Sequence, residues 1–256
     1  MSEFITTETR GRAFIVTINR PEVMNALHPP ANVEMAEAWD AFVADDDLWV
    51  GIVTGSGDRA FSAGNDLKYQ AQGGEMSWPA SGFGGLTSRA NCDKPLIAAV
   101  NGLALGGGFE IALACDIIIA SENASFGLPE PKVGLAALAG GVHRLPRQIG
   151  YKNAMGMMLA ARRVDAAEGF RLGICQEVVA HGELMDRTLG WAEEIAACAP
   201  LSVRATKQAA QAGMEMSLEE ALVGKFDGIS RMIKSEDFVE GPLAFAEKRK
   251  PQWKGK

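Results

Sequence analysis

The sequence predicts an α/β core followed by an α-helical C-terminal part. Three observations carry this. Short β-branched and apolar runs alternate with helix-period segments through the first half of the chain. Glycine clusters stand where strand gives way to helix. From Tyr151 onward the pattern is almost wholly helical.

Taken in order, Arg12 to Ile18 (RAFIVTI) is a β-branched strand, and the turn-rich NRPEVMNALHPP follows it. Ala31 to Val43 is a helix, with Met35, Trp39, Phe42 and Val43 at i, i+4, i+7 and i+8. Asp45 to Asp47 is a solvated loop, and Trp49 to Thr54 is a buried strand. A glycine-rich loop and short helix span GSGDRAFSAGNDLKYQ, and AQGGEMSWPASGFGG reads as a mobile surface loop. Pro95 to Val100 is an apolar strand. Gly106-Gly107-Gly108 opens a helix over FEIALAC, and Asp116 to Ala120 is again strand. Helices are expected over 151–161, 166–172, 183–198, 200–213, 217–233 and 237–248, with one strand at Ile174 to Val179.

Composition narrows the function classes. The 256 residues are 47% hydrophobic and 22% charged, enough for a sizeable core. The net charge of −7, with an acidic first helix (Glu34, Glu37, Asp40), argues against a nucleic-acid partner. The four cysteines lack CxxC spacing, so neither a disulfide framework nor a zinc site is expected. There is no HExxH and no metal is expected. The most apolar window, Pro95 to Ala120, contains Asn101, Glu110 and Asp116 and fails as a membrane span. No secretory or transit signal is visible, so the expected location is cytoplasmic.

Two glycine motifs carry little. Gly55-Ser56-Gly57-Asp58-Arg59-Ala60 matches a dinucleotide fingerprint, but no long helix follows it. Ala60-Phe61-Ser62-Ala63-Gly64 approximates a nucleophile elbow, but Ser62 would need a base from His28, His143 or His181, none in a motif.

The informative stretch is Asn101 to Glu110 (NGLALGGGFE). Three glycines between strand and helix allow close backbone approach, and their amides stand at a helix N-terminus suited to an oxyanion. Glu110 lies about one turn after Gly107, on a helix apolar all round. A helical glutamate is ordinarily solvent-facing, but burial would make this one costly unless paired or functional. Glu130 is clamped between Pro129 and Pro131 in an apolar turn. It reads equally as a second carboxylate of the site or as a loop surface residue.

These blocks together resemble the crotonase (enoyl-CoA hydratase/isomerase) superfamily. The matching segments are Asn19-Arg20-Pro21, Asn25-Ala26-Leu27, AFSAGNDL (60–67), LALGGGFEIALACDIIIA, FGLPEPKVGL, Gly140-Gly141 with Arg144-Leu145, and AFAEKRKPQW (244–253). The resemblance covers nearly the whole chain. It implies a crotonase-like spiral of ββα units with a C-terminal α-helical trimerisation region. The division it suggests is 1–199 for the core with the CoA and acyl site, and 200–256 for the helical oligomerisation region. It further implies an acyl-CoA substrate, no separate cofactor, and a partner in other copies of the chain, as a trimer or dimer of trimers.

By the resemblance, the oxyanion-hole amides would be those of Asn65 and Gly107, stabilising an enolate where its charge develops. Hydratases of the family use two glutamates, so the pair Glu110 and Glu130 implies reversible hydration of a 2-enoyl-CoA to a 3-hydroxyacyl-CoA. Glu110 would handle the water and Glu130 the α-proton, the two titrating as a pair. The loop with Ala63, Asp66, Leu67 and Lys68 would wrap CoA. Phe245 and Lys248 fall in the block that meets the nucleotide, though they read equally as a core aromatic and a solvated charge. Asn65 departs from the alanine common in the family. Ala137-Leu138 replaces the Pro-Gly of many hydratases, and Leu138 is expected to reshape the acyl pocket. The alternatives are a CoA-thioester isomerase, lyase or racemase of the same superfamily, a non-catalytic or RNA-binding member, and a hydrolase at Ser62.

Overall fold

The computed structural model describes residues 3–90 and 92–256. Its strands and helices fall in repeating order. The chain opens with β1 (Ile5–Arg10), β2 (Ala13–Ile18) and α1 (Pro29–Ala44), followed by β3 (Val50–Gly55), β4 (Ala60–Ser62) and α2 (Leu67–Ala71). Next come β5 (Leu96–Val100), β6 (Leu103–Leu105) and α3 (Gly107–Ala114), then β7 (Ile117–Ser121) and β8 (Ser125–Gly127). After α4 (Gly141–Ile149) and α5 (Tyr151–Leu159) the chain adds β9 (Arg163–Asp165), α6 (Ala166–Leu172) and β10 (Glu177–Val179). The helices α7 (Leu184–Ala196), α8 (Pro200–Gly213), α9 (Leu218–Val223), α10 (Asp227–Ile233) and α11 (Glu236–Ala246) complete it.

The strands sort into two sheets, in the orders β1-β2-β3-β5-β7-β10 and β4-β6-β8-β9. Each repeat sends its first strand (β3, β5, β7) to one sheet and its second (β4, β6, β8) to the other, parallel to its predecessors. That alternation is the spiral of ββα turns.

The inner strands of the first sheet, β2, β3, β5 and β7, are covered on both faces, which explains their continuous apolar runs. Side-chain alternation splits each strand between two cores. Ile15, Ile52, Ile97 and Ile119 pack against α7 on one side. Phe14, Val16, Val53, Ala98 and Val100 join Trp39 and Phe42 of α1 and Phe109 of α3 on the other.

Buried asparagines pin the turns between the sheets. Asn101 donates to the carbonyls of Gly55 (2.9 Å) and Gly57 (2.7 Å), and Asn25 donates to that of Ala60 at 2.7 Å. The Gly55–Ala60 segment is therefore a tight link between β3 and β4, not a dinucleotide loop.

Several expected elements differ. The strand at Ile174 to Val179 is paired only over Glu177–Val179, and the helix over 217–233 breaks at Gly224 into α9 and α10. The expected mobile loop is ordered at its end. Phe83, Gly84 and Gly85 are buried, and the Gly84 N–H donates to Asn32 Oδ1 at 2.7 Å. Gly84 and Gly85 have φ of 59° and 64°, and a Cβ on Gly85 would lie 2.5 Å from the Ala36 Cα. Their lack of side chains lets this segment press onto α1.

Candidate active site

The site begins where β6 turns into α3. Gly106 (φ 53°) caps the helix, and Gly107 is its first residue, so the Gly107 amide has no earlier carbonyl of the helix to receive it. The loop after β4 lies against this end. A Cβ on Gly64 would stand 2.7 Å from both the Gly107 nitrogen and the Leu105 oxygen. Leu27 bonds to both sides of Asn65, its N–H to the Gly64 carbonyl (2.8 Å) and its carbonyl to the Asp66 N–H (3.1 Å). Strand alternation therefore turns the N–H of Asn65 itself away from Leu27. The Phe83 ring closes one wall, lying 2.5 Å from where a Gly107 Cβ would be.

Glu110 is one turn further along α3 and only 3% exposed. Its Oε1 accepts the Gly141 N–H at 2.8 Å. Burial pushes its pKa up to about 7, with the Gly141 and Ala139 amides and Arg144 opposing and Glu130 adding to the rise. Glu130 opens the 3-10 turn Glu130–Val133 and is half-buried. Its Oε1 would lie 3.0 Å from a Cβ on Gly106, beside the same helix end. Its Oε2 is buried without a hydrogen-bond partner, and burial raises its pKa. The chain thus brings two desolvated carboxyls and a free helix-terminal amide to one place. Such a set can move protons on either side of a carbonyl whose oxygen is held by backbone N–H groups.

The other expected residues are placed as follows. Asn65 turns its side chain to α2, donating from Nδ2 to Gln70 Oε1 at 3.2 Å. Asp66 caps α2 through the Tyr69 N–H and forms an ion pair with Arg20 at 3.0 Å. Burial acts to raise its pKa, but these two partners outweigh it and the net shift is downward. The carboxylate therefore shapes the loop and has its own partners already. Ala63 is half-buried, while Leu67 and Lys68 are exposed on α2. Phe245 and Lys248 stand exposed at the end of α11, Phe245 at 87%. Leu138 is 77% exposed, in a tight turn where its N–H donates to the Ala136 carbonyl at 2.8 Å.

Ser62 is removed as a nucleophile. It is fully buried, its hydroxyl donates to the Asn25 carbonyl at 2.7 Å, and it accepts the Gly64 N–H at 3.1 Å. Sequence reasoning missed the tasks of Gly141, Phe83 and Arg20. Gly141 and Arg20 stood inside the matched blocks, but only the fold shows that an amide 31 residues from Glu110 meets its carboxylate. Among the described residues no cluster of three or more His, Cys, Asp or Glu could hold a metal, and no helix is long and apolar enough to cross a membrane.

Fold and site together define an enzyme of the crotonase type. The enoyl-CoA hydratase/isomerase family model matches residues 8–256, and the chain belongs to that family. It is 44% identical over the whole of both chains to a carnitinyl-CoA dehydratase of Proteus mirabilis (strain HI4320). The carnitinyl-CoA dehydratase of Escherichia coli (strain K12) is 43% identical over the same full extent. An enoyl-CoA hydratase structure from Mycobacterium tuberculosis H37Rv superposes with a TM-score of 0.93 at 39% identity, covering 99% of each chain. The enoyl-CoA hydratase EchA1 from Mycobacterium marinum gives 0.93 at 40% identity, also over 99% of each.

Proposed function

We propose that this protein catalyses the reversible interconversion of a 2-enoyl-CoA and a 3-hydroxyacyl-CoA, with Glu110 and Glu130 as the proton-transfer pair. The observation that carries this is the pair itself. Two carboxyls with raised pKa values flank the amide end of α3, and their environments favour one shared proton near neutral pH.

In the hydration direction Glu110 takes a proton from water as its oxygen bonds to C3. The C2=C3 electrons move through C2 to the thioester oxygen, which the Asn65 and Gly107 amides hold as an enolate. The enolate electrons then take a proton from Glu130 at C2. Dehydration runs the same steps backward. Glu130 removes the C2 proton, and Glu110 protonates the departing hydroxyl. One proton on the pair serves both directions, and solvent exchange restores its position. The thioester is activated by its own carbonyl, so no separate cofactor is needed. CoA lies along Ala63, Leu67 and Lys68, with Phe245 and Lys248 reached in the assembled trimer or dimer of trimers.

Relatives named carnitinyl-CoA dehydratase support the hydro-lyase reading over isomerisation or cleavage. They also place carnitinyl-CoA beside 3-hydroxybutyryl-CoA at the head of a substrate panel. The test is incorporation of oxygen from labelled water into the product of an enoyl-CoA. A labelled 3-hydroxyacyl-CoA is expected. An unlabelled isomer or a cleaved acyl group would overturn the reading.

A further inference from the structure

Arg144 is used by no step above, yet it joins two walls of the site. It lies in the first turn of α4, four residues after Gly140. Its Nη2 donates to the Thr87 carbonyl at 2.8 Å, and its Nη1 to the Ala139 carbonyl at 3.4 Å. Its own N–H donates to the Gly140 carbonyl at 2.8 Å. Gly140 has φ 109°, and any Cβ there would run into the guanidinium. The cation is therefore seated on the backbone of the turn, where only glycine fits.

Each carbonyl belongs to a segment that shapes the site. Ala139 directly precedes Gly140 and Gly141, and the Gly141 N–H meets Glu110. Thr87 follows the buried segment Phe83–Gly85, and its N–H donates to the Phe83 carbonyl at 3.3 Å. The Phe83 ring lies on Gly107. Two segments more than fifty residues apart are thus held by one planar, multi-donor side chain. No salt bridge to Arg144 is found among the described residues, and burial lowers its pKa while Glu110 acts to raise it.

We propose that Arg144 is a positioning residue that clamps the Ala139–Gly141 turn to the Phe83–Thr87 segment, fixing at once the Gly141 amide on Glu110 and the Phe83 wall beside Gly107. The inference rests on the hydro-lyase reading for its kinetic consequence. Its structural content, the hold on the Gly141 amide and on the Phe83 wall, does not depend on that reading.

The charged groups facing Glu110 are Glu130, from the turn after β8, and Arg144, from α4. The remaining neighbours with an influence are the Gly141 and Ala139 amides. Removing Arg144 takes away a nearby cation and loosens both amides. Each change disfavours the carboxylate, so the Glu110 pKa rises. A loosened clamp also misplaces the oxyanion wall, a displacement of a kind that costs up to about 10²-fold in rate.

The experiment compares Arg144→Met and Arg144→Lys with the native protein. The Glu110 carboxyl is titrated by carbon NMR of the glutamate-labelled protein, its signal assigned by its loss in Glu110→Gln. In Arg144→Met the titration moves to higher pH, and kcat falls about tenfold to a hundredfold. In Arg144→Lys the titration returns toward native, but kcat stays low, because one ammonium on a flexible stem does not reproduce the planar fork. A Glu110 titration unchanged in Arg144→Met, or full kcat in Arg144→Lys, overturns the clamp. The titration needs no substrate. Absence of hydration by the native protein would therefore sink the functional reading while the clamp is still decided.

Discussion

The Glu110 carboxylate accepts the Gly141 N–H at 2.8 Å, joining the helix that carries the proposed catalytic carboxyl to the turn that carries Leu138. This one bond opposes a strong burial effect. Glu110 is 3% exposed, with a pKa of about 7, so it holds or releases its proton within the working range.

A pH profile follows. On the proposed mechanism the reaction in either direction needs one proton on the pair. The Haldane relation then requires kcat/KM for hydration and for dehydration to share the same limbs. The higher macroscopic pKa belongs to loss of the last proton, near 7. Rates in both directions are expected to fall as pH rises above about 7, and again at lower pH when both carboxyls are protonated. Initial rates of crotonyl-CoA hydration and 3-hydroxybutyryl-CoA dehydration across pH 4 to 10 check this. Rates that stay level as pH rises above about 7 would contradict the shared-proton account.

The same burial costs stability, with a sign that can be worked out. A carboxyl whose folded pKa is raised above 4.5 favours folding fully below pH 4.5, and that contribution is lost as pH rises through about 7. Glu110→Gln removes the penalty of ionising the group in place. The variant is expected to be more stable than the native protein at pH 8, by on the order of 2–3 kcal/mol, and nearly equal to it at pH 4.5. Urea melts at the two pH values measure the difference.

Gly64 packs against the end of α3 where the proposed oxyanion hole forms. Its φ is 88°, and an added Cβ would meet the Gly107 nitrogen and the Leu105 oxygen at 2.7 Å. Gly64→Ala is expected to push the Asn65 amide off its line and lower kcat by about 10²–10³-fold, the range for losing one oxyanion donor. KM for the CoA thioester changes far less. Steady-state kinetics separates the two.

Leu138 stands 77% exposed, so it carries little of the core. Leu138→Gly is expected to leave stability within about 0.5 kcal/mol, as for surface substitutions away from special features. The acyl-chain preference changes instead, because Leu138 lies three residues before the amide that holds Glu110. Relative kcat/KM over a panel from crotonyl-CoA to long-chain and aryl enoyl-CoAs reads this out. An unchanged profile would show that Leu138 does not face the acyl group.

How much of this was legible in the sequence depends on distance along the chain. The first-sheet strands β2, β3, β5 and β7 were visible, because burial on both faces leaves short, mostly apolar runs. Their partners β4, β6, β8 and β9 are three residues each, too short for any period to register. The exposed strand β1, with the pattern Beeeee, carries no alternating apolar signal at all. Helix α4 hides behind Gly140-Gly141 and contains Pro146, signals that read as a break. Glu110 was legible because a carboxylate on a wholly apolar helix conflicts with its surroundings. Glu130 alone was not decisive, and its desolvation becomes evident only when Gly106 is folded beside it. The ordered end of the loop at Phe83 was hidden by its glycines, which looked like flexibility but permit close packing on α1.

The most direct test of the two-carboxylate account is the ultraviolet loss of the enoyl-thioester chromophore, followed with crotonyl-CoA and the other enoyl-CoAs of the panel. The native protein, Glu110→Gln and Glu130→Gln are compared, with product mass measured in each. The account predicts chromophore loss with a gain of one water for the native protein, and a fall of at least about 10²-fold in each variant. Full hydration by either variant, or consumption of the enoyl-CoA without gain of water, would contradict it.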